Sequence, residues 1–530
     1  MTKGIDSMRD IEKMILEMSL RDKISQTEIV LMEKGKKINR KPGAAFFFGQ
    51  IITEGDKAGL DELRSYVKEI LDNSDIPPLI TSDFENGCGS MVEALTPFPY
   101  MMGLGATNDP QIAYDYGKAT ALEGRSIGAN WTFSPVSDLN INFRNPLINV
   151  RGMTDDAILA EKMLPQIVKG MQDYGLAACA KHFPGDGMDY RDQHVVTTKN
   201  TLSMDEWYDT YGRVYKSMIS AGVESIMLGH IALPAYYDGE ESQMPATLNK
   251  KLINDLLKGE LGFKGVVITD ALRMGGFMSW YPTRRQSEIE AIKAGCDMML
   301  WPTEHYVDDI ENAVLTGYIP EERINDAVRR ILSLKNRLGL FEEDYEPFKL
   351  LTEEDKQFVK SVQTACSNQS ITLIRDDLNV FPFDKNKIKN IGIVPIVEYS
   401  PVKEIALSMK DYFEERGFNV EIERDDIEEF YERNDVVIYE LFSRPFRPQG
   451  FLDYTEGRAH MISTSFMGPN AREKNIVVSF GSPYFGNQYY ERAKTYINAY
   501  SMLSCSVEAF VKAACGEIEF EGKSPVKLDR

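Results

Sequence analysis

The chain has 530 residues, 43% of them hydrophobic and 27% charged, with a formal net charge of −21. That length exceeds what one hydrophobic core serves and predicts two or three domains in a soluble, globular protein. The negative charge argues against nucleic acid and anionic membrane surfaces as partners, while leaving room for a small anion held by a local Lys/Arg cluster.

The opening MTKGIDSMRDIEKMILEMSLRDK lacks the apolar centre of a secretory signal, and no apolar run approaches the thickness of a bilayer. The six cysteines (Cys88, Cys179, Cys296, Cys366, Cys505 and Cys515) show no CxxC spacing, so neither a disulfide framework nor a zinc site is expected. Cys179 and Cys296 sit within apolar runs and read as small buried hydrophobes. A cytoplasmic location is the expectation.

From about residue 40 to 340, short apolar runs alternate with amphipathic stretches. The runs are AAFFFG (44–49), PPLITSDF (77–84), ANWTFSPVSDLN (129–140), GLAACAKHF (175–183), ESIMLGHIAL (224–233), FKGVVITDAL (263–272) and CDMMLWP (296–302). Between them, DELRSYVKEILDN, PQIAYDYGKATALEGRSIG, DDAILAEKMLPQIVKGMQDYG and MDEWYDTYGRVYKSMISAG carry apolar residues at helical spacing, several ending at glycine. Continuously apolar strands alternating with helices predict a parallel sheet covered on both faces. Seven or eight such units suit an α/β fold of the (β/α)8 TIM-like barrel type over residues 1–340. The runs end in polar residues: Asp83, Asp138, Lys181 with His182, His230, Asp270 and Glu304. In a barrel these ends share the face that carries active sites, whereas an open doubly wound sheet would gather its ligand groups at one switch point.

Residues 341–370 are charged with little apolar period and predict a linker followed by a helix. NIGIVPI (390–396), FNVEIER (418–424), DVVIYELF (435–442) and NIVVSFGSP (475–483) then predict a smaller C-terminal α/β domain over 371–530. It lacks a GxGxxG turn after its first strand and is not read as nucleotide-binding.

Two of the five histidines fall in KHFPGDGMDYRDQH (181–194). A carboxylate beside an imidazole fixes its tautomer and raises its basicity, so Asp192 and His194 form a candidate proton-transfer pair; a solvated loop histidine is the alternative. Asp270, closing GVVITD, reads as a nucleophile or base, or as the N-cap of a helix starting near Ala271. Lys181 and His182 read as site residues or as an ordinary surface pair. The chain has no HExxH and no compact Cys/His set, which speaks against metal. His305 reads as a surface loop residue, and His460 carries no pattern that assigns it a role.

KHFPGDGMDYRDQH resembles the KHFPGHGxxxxDSH signature of β-N-acetylglucosaminidases in glycoside hydrolase family 3, matching at Lys-His, Phe-Pro-Gly, the second Gly and the final Asp-x-His with unchanged spacing. MSLRDKISQ, SDFENG, NPLINVRGM, FKGVVITDALRMGG, AGCDMMLWP and LKNRLGLFE resemble further segments of that family, and ITLIRDDLNVFPF and VSFGSPYF its second domain. The resemblance implies a retaining exo-β-N-acetylglucosaminidase with no cofactor and no metal. In that role Asp270 is the nucleophile, His194 the acid/base and Asp192 its partner. Asp83, Arg151, Lys181, His182 and His230 bind a small carbohydrate substrate drawn from cell-wall muropeptides or chitooligosaccharides. A phosphorylase, another β-glycosidase specificity and a non-catalytic sugar-binding protein are the alternatives on the same fold. The chain departs from the pattern at Asp186, where the family has histidine, at Gln193, where it has a small residue, and at Met91, where it often has arginine.

Overall fold

The structure, a computed structural model, describes residues 8–38, 40–49, 57–397, 400–423, 427–445, 471–485 and 493–528. Eight parallel strands form the N-terminal part: β1 (Glu28–Leu31), β2 (Ala44–Phe46), β3 (Leu79–Ser82), β4 (Trp131–Thr132) and β5 (Cys179–Phe183), then β7 (Ser225–Leu228), β9 (Val266–Thr269) and β10 (Met299–Leu300), with the short pair β6 (Thr198–Lys199) and β8 (Ile231–Ala232) lying between. They pair in the orders β10-β1-β2-β3-β4 and β5-β7-β9. Bridges Trp131↔Ala177 and Val136↔Lys181 join β4 to β5, and Ile268↔Met298 joins β9 to β10, so the ring closes into a barrel. Side chains alternate as strands require. Ile29, Ala44, Phe46 and Cys179 fill the interior, while Val30, Ala45 and Ala180 face the surrounding helices. Both faces are buried, which is why the strands read as continuous apolar runs.

The first strand, EIVL, is absent from the runs identified by sequence, which begin at AAFFFG. Four residues with no polar residue at their end give a weak signal. The helices fall where predicted. Asp109 caps Pro110–Ser126 through Gln111 N–H, and Asp156 caps Ala157–Asp173 through Ile158 N–H. These two helices cross at glycines: a Cβ on Gly117 would sit 2.4 Å from Ile167 O, and one on Gly170 2.1 Å from Tyr114 O.

Residues 341–350 return to the barrel rather than hanging free, with Lys349 N–H bonded to Arg125 O at 3.0 Å. Helix Glu353–Ser370 carries a capping box at Thr352 and Asp355. Its buried stripe of Val359, Val362 and Cys366 joins the barrel's outer core. The stripe is narrow and flanked by polar residues, so its period is faint in the sequence.

The C-terminal part is one six-stranded sheet: β11 (Thr372–Asp376), β12 (Asn390–Val397), β13 (Asn419–Ile422), β14 (Val436–Phe442), β15 (Asn475–Ser479) and β16 (Thr495–Asn498), in the order β11-β16-β15-β14-β12-β13. It is parallel except for β11 at its edge. Helices Lys403–Glu415 and Ser504–Ala514 cover one face through Met409, Phe413 and Phe510. On the other face Tyr439, Val477 and Tyr496 pack with Met102 and Ala106 of the barrel part. The chain end straps back across this junction: Thr154 Oγ1 donates to Pro525 O at 2.5 Å and Lys523 N–H to Ala106 O at 2.9 Å.

Candidate active site

The polar strand ends meet at one rim of the barrel. Beyond β3, Asp83 and Glu85 face Lys181 of β5, whose Nζ lies 2.7 Å from each of their carboxylates. Arg151 grips Glu85 through two hydrogen bonds of 2.9 and 2.8 Å and also donates to Leu147 O at 3.3 Å. Burial pushes both carboxyls up. At Glu85 the charges of Arg151 and Lys181 together overcome burial and hold the group well below its usual range, while at Asp83 burial prevails. The row Arg151, Glu85, Lys181, Asp83 thus ends in a carboxylate whose side chain is 26% exposed.

His182 is fixed from behind. Its Nδ1 lies 2.7 Å from Asp138 Oδ2, which accepts from it as hydrogen-bond partner, and its Nε2 lies 3.8 Å from Asp270 Oδ2. Asp270 follows β9 directly and accepts Ala271 N–H at 2.7 Å. The contact closes a turn; the next helix starts only at Gly275, so Asp270 is not its N-cap. Burial raises the Asp270 carboxyl, and the imidazoles of His182, His230 and His194 with the Ala271 N–H outweigh it, leaving the group below its usual value. Burial also pushes His230 down to about 4. His230 is therefore neutral at ordinary pH.

His194 stands on the loop between β5 and β6. The loop leaves β5 through Gly185 and Gly187 (φ +119° and +93°), and a Cβ on Gly187 would lie 1.9 Å from Leu139 O. The acids that crowd this loop tie it down. Asp138 Oδ1 accepts the N–H groups of His182 and Asp186, Asp186 Oδ1 accepts Asn145 Nδ2, and Asp189 binds Arg191 and the Lys199 N–H. Asp192 Oδ1 accepts both the His194 backbone N–H, at 2.8 Å, and Nδ1, at 2.7 Å. His194 Nε2 has no protein partner among the described residues, and the side chain is 38% exposed. Burial lowers the His194 imidazolium, but the Asp192 hydrogen bond and the Asp270 charge raise it further, for a net upward shift.

The structure thus gathers Asp83, Arg151, Lys181, His182, Asp192, His194 and Asp270 at one rim. His230 is the exception. It was expected to contact sugar, yet both of its ring nitrogens are engaged by protein: Nδ1 lies 3.0 Å from Thr247 Oγ1 and Nε2 3.1 Å from Ala271 O. Buried and neutral, it supports the Asp270 turn instead. Two acids escaped assignment from sequence. Glu85 stands in the quoted SDFENG, and Asp138 ends a predicted strand. Strand-end position was their available signal. His305 is exposed beside Glu304, and His460 lies outside the described residues. Among the described residues, no three His, Cys, Asp or Glu side chains converge as metal ligands.

A parallel barrel that gathers carboxylates and imidazoles at the C-terminal ends of its strands can serve many chemistries, and the likeness of this chain to known proteins makes it a glycoside hydrolase acting on β-linked sugars. Residues 19–334 match the glycosyl hydrolase family 3 N-terminal domain, and the chain belongs to that family. It is 33% identical over 488 residues to a β-N-acetylglucosaminidase/β-glucosidase of Cellulomonas fimi, covering 85% of this chain and 84% of the relative. A solved β-glucoside phosphorylase, BglX, superposes with a TM-score of 0.86 at 27% identity, covering 99% of this chain and 96% of its own. A family 3 β-N-acetylglucosaminidase of Paenibacillus sp. str. FPU-7 does so with a TM-score of 0.83 at 26% identity, covering 97% and 99%.

Proposed function

We propose that the protein is a retaining exo-β-N-acetylglucosaminidase that removes terminal β-linked N-acetylglucosamine from muropeptides or chitooligosaccharides in the cytoplasm. Asp270 attacks the anomeric carbon while His194 Nε2, protonated, gives its proton to the departing oxygen. A covalent glycosyl-aspartate forms. The now neutral His194 then takes a proton from water, which attacks the same carbon and releases the sugar with retained configuration. Asp192 holds the ring by Nδ1 throughout. Asp83 accepts from sugar hydroxyls, with Lys181 and Arg151 holding the acidic row in place and His182 between Asp138 and Asp270. The carboxylates also suit a transition state that gains positive charge. All six cysteines are unpaired, in keeping with a reducing compartment.

The observation that carries this reading is the pinned, half-exposed His194 with its outer nitrogen free, beside an Asp270 kept ionised. A second reading, phosphorolysis, has its support in the likeness to the β-glucoside phosphorylase. A neutral imidazole repels phosphate less than a carboxylate does. A panel of aryl β-glycosides of N-acetylglucosamine, glucose, xylose and galactose, each with and without phosphate, tests both. Turnover of the N-acetylglucosaminide independent of phosphate supports the first reading. Sugar 1-phosphate as the main product sinks it in favour of the second.

A further inference from the structure

The segment between β4 and helix Ala157–Asp173 touches both the candidate site and the C-terminal sheet. On the site side it holds the histidine loop. Asn142 N–H donates to Gly187 O at 2.8 Å, and Asn142 Nδ2 donates to Met188 O at 3.1 Å. Asn145 is buried. Its Nδ2 donates to Asp186 Oδ1 at 2.9 Å and to Asp189 O at 2.7 Å, while its Oδ1 accepts the N–H groups of Leu147 and Ile148. Two asparagines thus grip the consecutive residues Asp186, Gly187, Met188 and Asp189, where the histidine loop leaves β5.

On its other side the same segment is seated in the C-terminal part at two points. Phe143, next to Asn142, packs against the core on the barrel-facing side of the sheet, its ring centre 6.1 Å from that of the buried Tyr484. Further along, Thr154 O accepts Asn140 N–H at 2.9 Å, while Thr154 Oγ1 and Asp155 N–H both donate to Pro525 O, at 2.5 and 3.3 Å. Lys527 N–H donates in turn to Asp155 Oδ2 at 3.0 Å. Proton transfer needs its donor held to within about 0.5 Å of the productive place. We propose that Phe143 is a positioning residue for the acid/base. Seated on Tyr484, it lets the C-terminal domain hold the β4 segment, and through Asn142 and Asn145 the histidine loop, where His194 delivers its proton. This role rests on the acid function proposed for His194 above and deepens it, giving the second domain a part in the chemistry.

The test compares kcat/KM on phenyl and dinitrophenyl β-N-acetylglucosaminides, which do and do not need a proton to depart, in full-chain Phe143→Ala and Tyr484→Leu. Each variant is expected to lower the phenyl-to-dinitrophenyl ratio by about tenfold, a part of what general acid catalysis supplies. Phe143→Leu, which keeps an apolar side chain in the seat, should lose less. The double variant should lose no more than either single one, because both act through one contact. Amide hydrogen exchange at Asn142 and His194 should quicken by about tenfold while β9 keeps its protection. A loss that falls equally on both glycosides, as a merely less stable enzyme would give, overturns the proposal, and so does an unmoved ratio. If Phe143→Ala does not fold, Phe143→Leu and Tyr484→Leu decide. His194→Ala checks the parent reading separately. If it leaves the ratio at the wild-type value, His194 is not the acid, and exchange at Asn142 then decides whether the C-terminal domain holds the loop. If another aryl sugar is turned over instead, the ratio is taken on the two glycosides of that sugar.

Discussion

Asp138 and His182 form a buried pair that ties the barrel's fourth strand end to its fifth: Oδ2 lies 2.7 Å from Nδ1 while Oδ1 holds the backbone N–H groups of His182 and Asp186. One carboxylate therefore sets the tautomer of the imidazole facing Asp270 and anchors the start of the histidine loop. Asp138→Ala is expected to destabilise the protein by about 1–3 kcal/mol, the cost of leaving buried hydrogen-bond donors without their acceptor. Chemical denaturation checks it. A loss under about 1 kcal/mol, on the scale of an exposed pair, would show that the pair is not a structural anchor.

The histidine loop makes a prediction about pH. Asp192 raises the His194 imidazolium through its hydrogen bond, so the protonated acid persists above the ordinary 6.5. If His194 donates the proton, the alkaline limb of kcat/KM follows its deprotonation. Asp192→Asn removes the hydrogen-bonded charge, lowers the imidazolium value and must move that limb to lower pH. His194→Ala is expected to lower turnover by about 10²–10⁴-fold on poor leaving groups, the range of general acid catalysis. The loss should be much smaller on a dinitrophenyl glycoside, which needs no proton to depart. An alkaline limb unmoved in Asp192→Asn would assign the acid to another group.

A third prediction concerns the C-terminal sheet. Glu440 sits mid-strand on β14, opposite Pro395 and Val478, fully buried, and neither carboxyl oxygen has a partner among the described residues. Burial pushes its carboxyl well above the ordinary 4.5. In the unfolded chain the group ionises near its ordinary value. Its contribution is therefore most favourable below pH 4.5 and is lost progressively as the pH climbs from there toward the raised folded value. Glu440→Gln keeps the shape and removes the titration. Its melting temperature should exceed the wild type's at pH 7–8 and approach it at pH 4. A gain that is the same at both pH values would refute this account.

Much of the site was legible because barrel chemistry concentrates at strand ends. Asp270 closes an apolar run, and Lys181 with His182 closes another, so period and polarity together marked them. Strand β1 escaped because EIVL offers only three apolar residues and no polar residue at its C-terminal end. The work of Glu85 was hidden because Arg151 reaches it from 66 residues away, and Asp138 because its imidazole is 44 residues downstream. His230 was misjudged for the converse reason. A strand-end histidine looks exposed to substrate until Thr247 and Ala271 are seen to occupy both nitrogens. Pairings across the barrel depend on register and on loops, which a linear pattern does not encode.

The two departures within the histidine loop prove to be partners. Gln193 Nε2 donates to Asp186 Oδ2 at 3.0 Å, and Gln193 Oε1 accepts the His230 N–H at 2.7 Å. Asp186 is buried, and burial with the nearby Asp138 charge pushes its carboxyl up to about 7. The longer amide at 193 thus reaches an acid where the family pattern has histidine, and links it to the strand behind Asp270. Asp186→Asn and Gln193→Ala should each destabilise the protein and lower kcat/KM. Because the residues touch, the double variant should cost less than the sum of the two, with a coupling of about 0.5–3 kcal/mol. A denaturation cycle of the four proteins checks this, and strict additivity would show that the bond contributes nothing. Turnover should follow stability only in part, since Gln193 immediately precedes His194 and the loop also orients that histidine. Asp186→Asn alone should change the dependence of stability on pH near 7, because it removes one of the buried groups that titrate there, Glu28, Glu123 and Lys335 being the others.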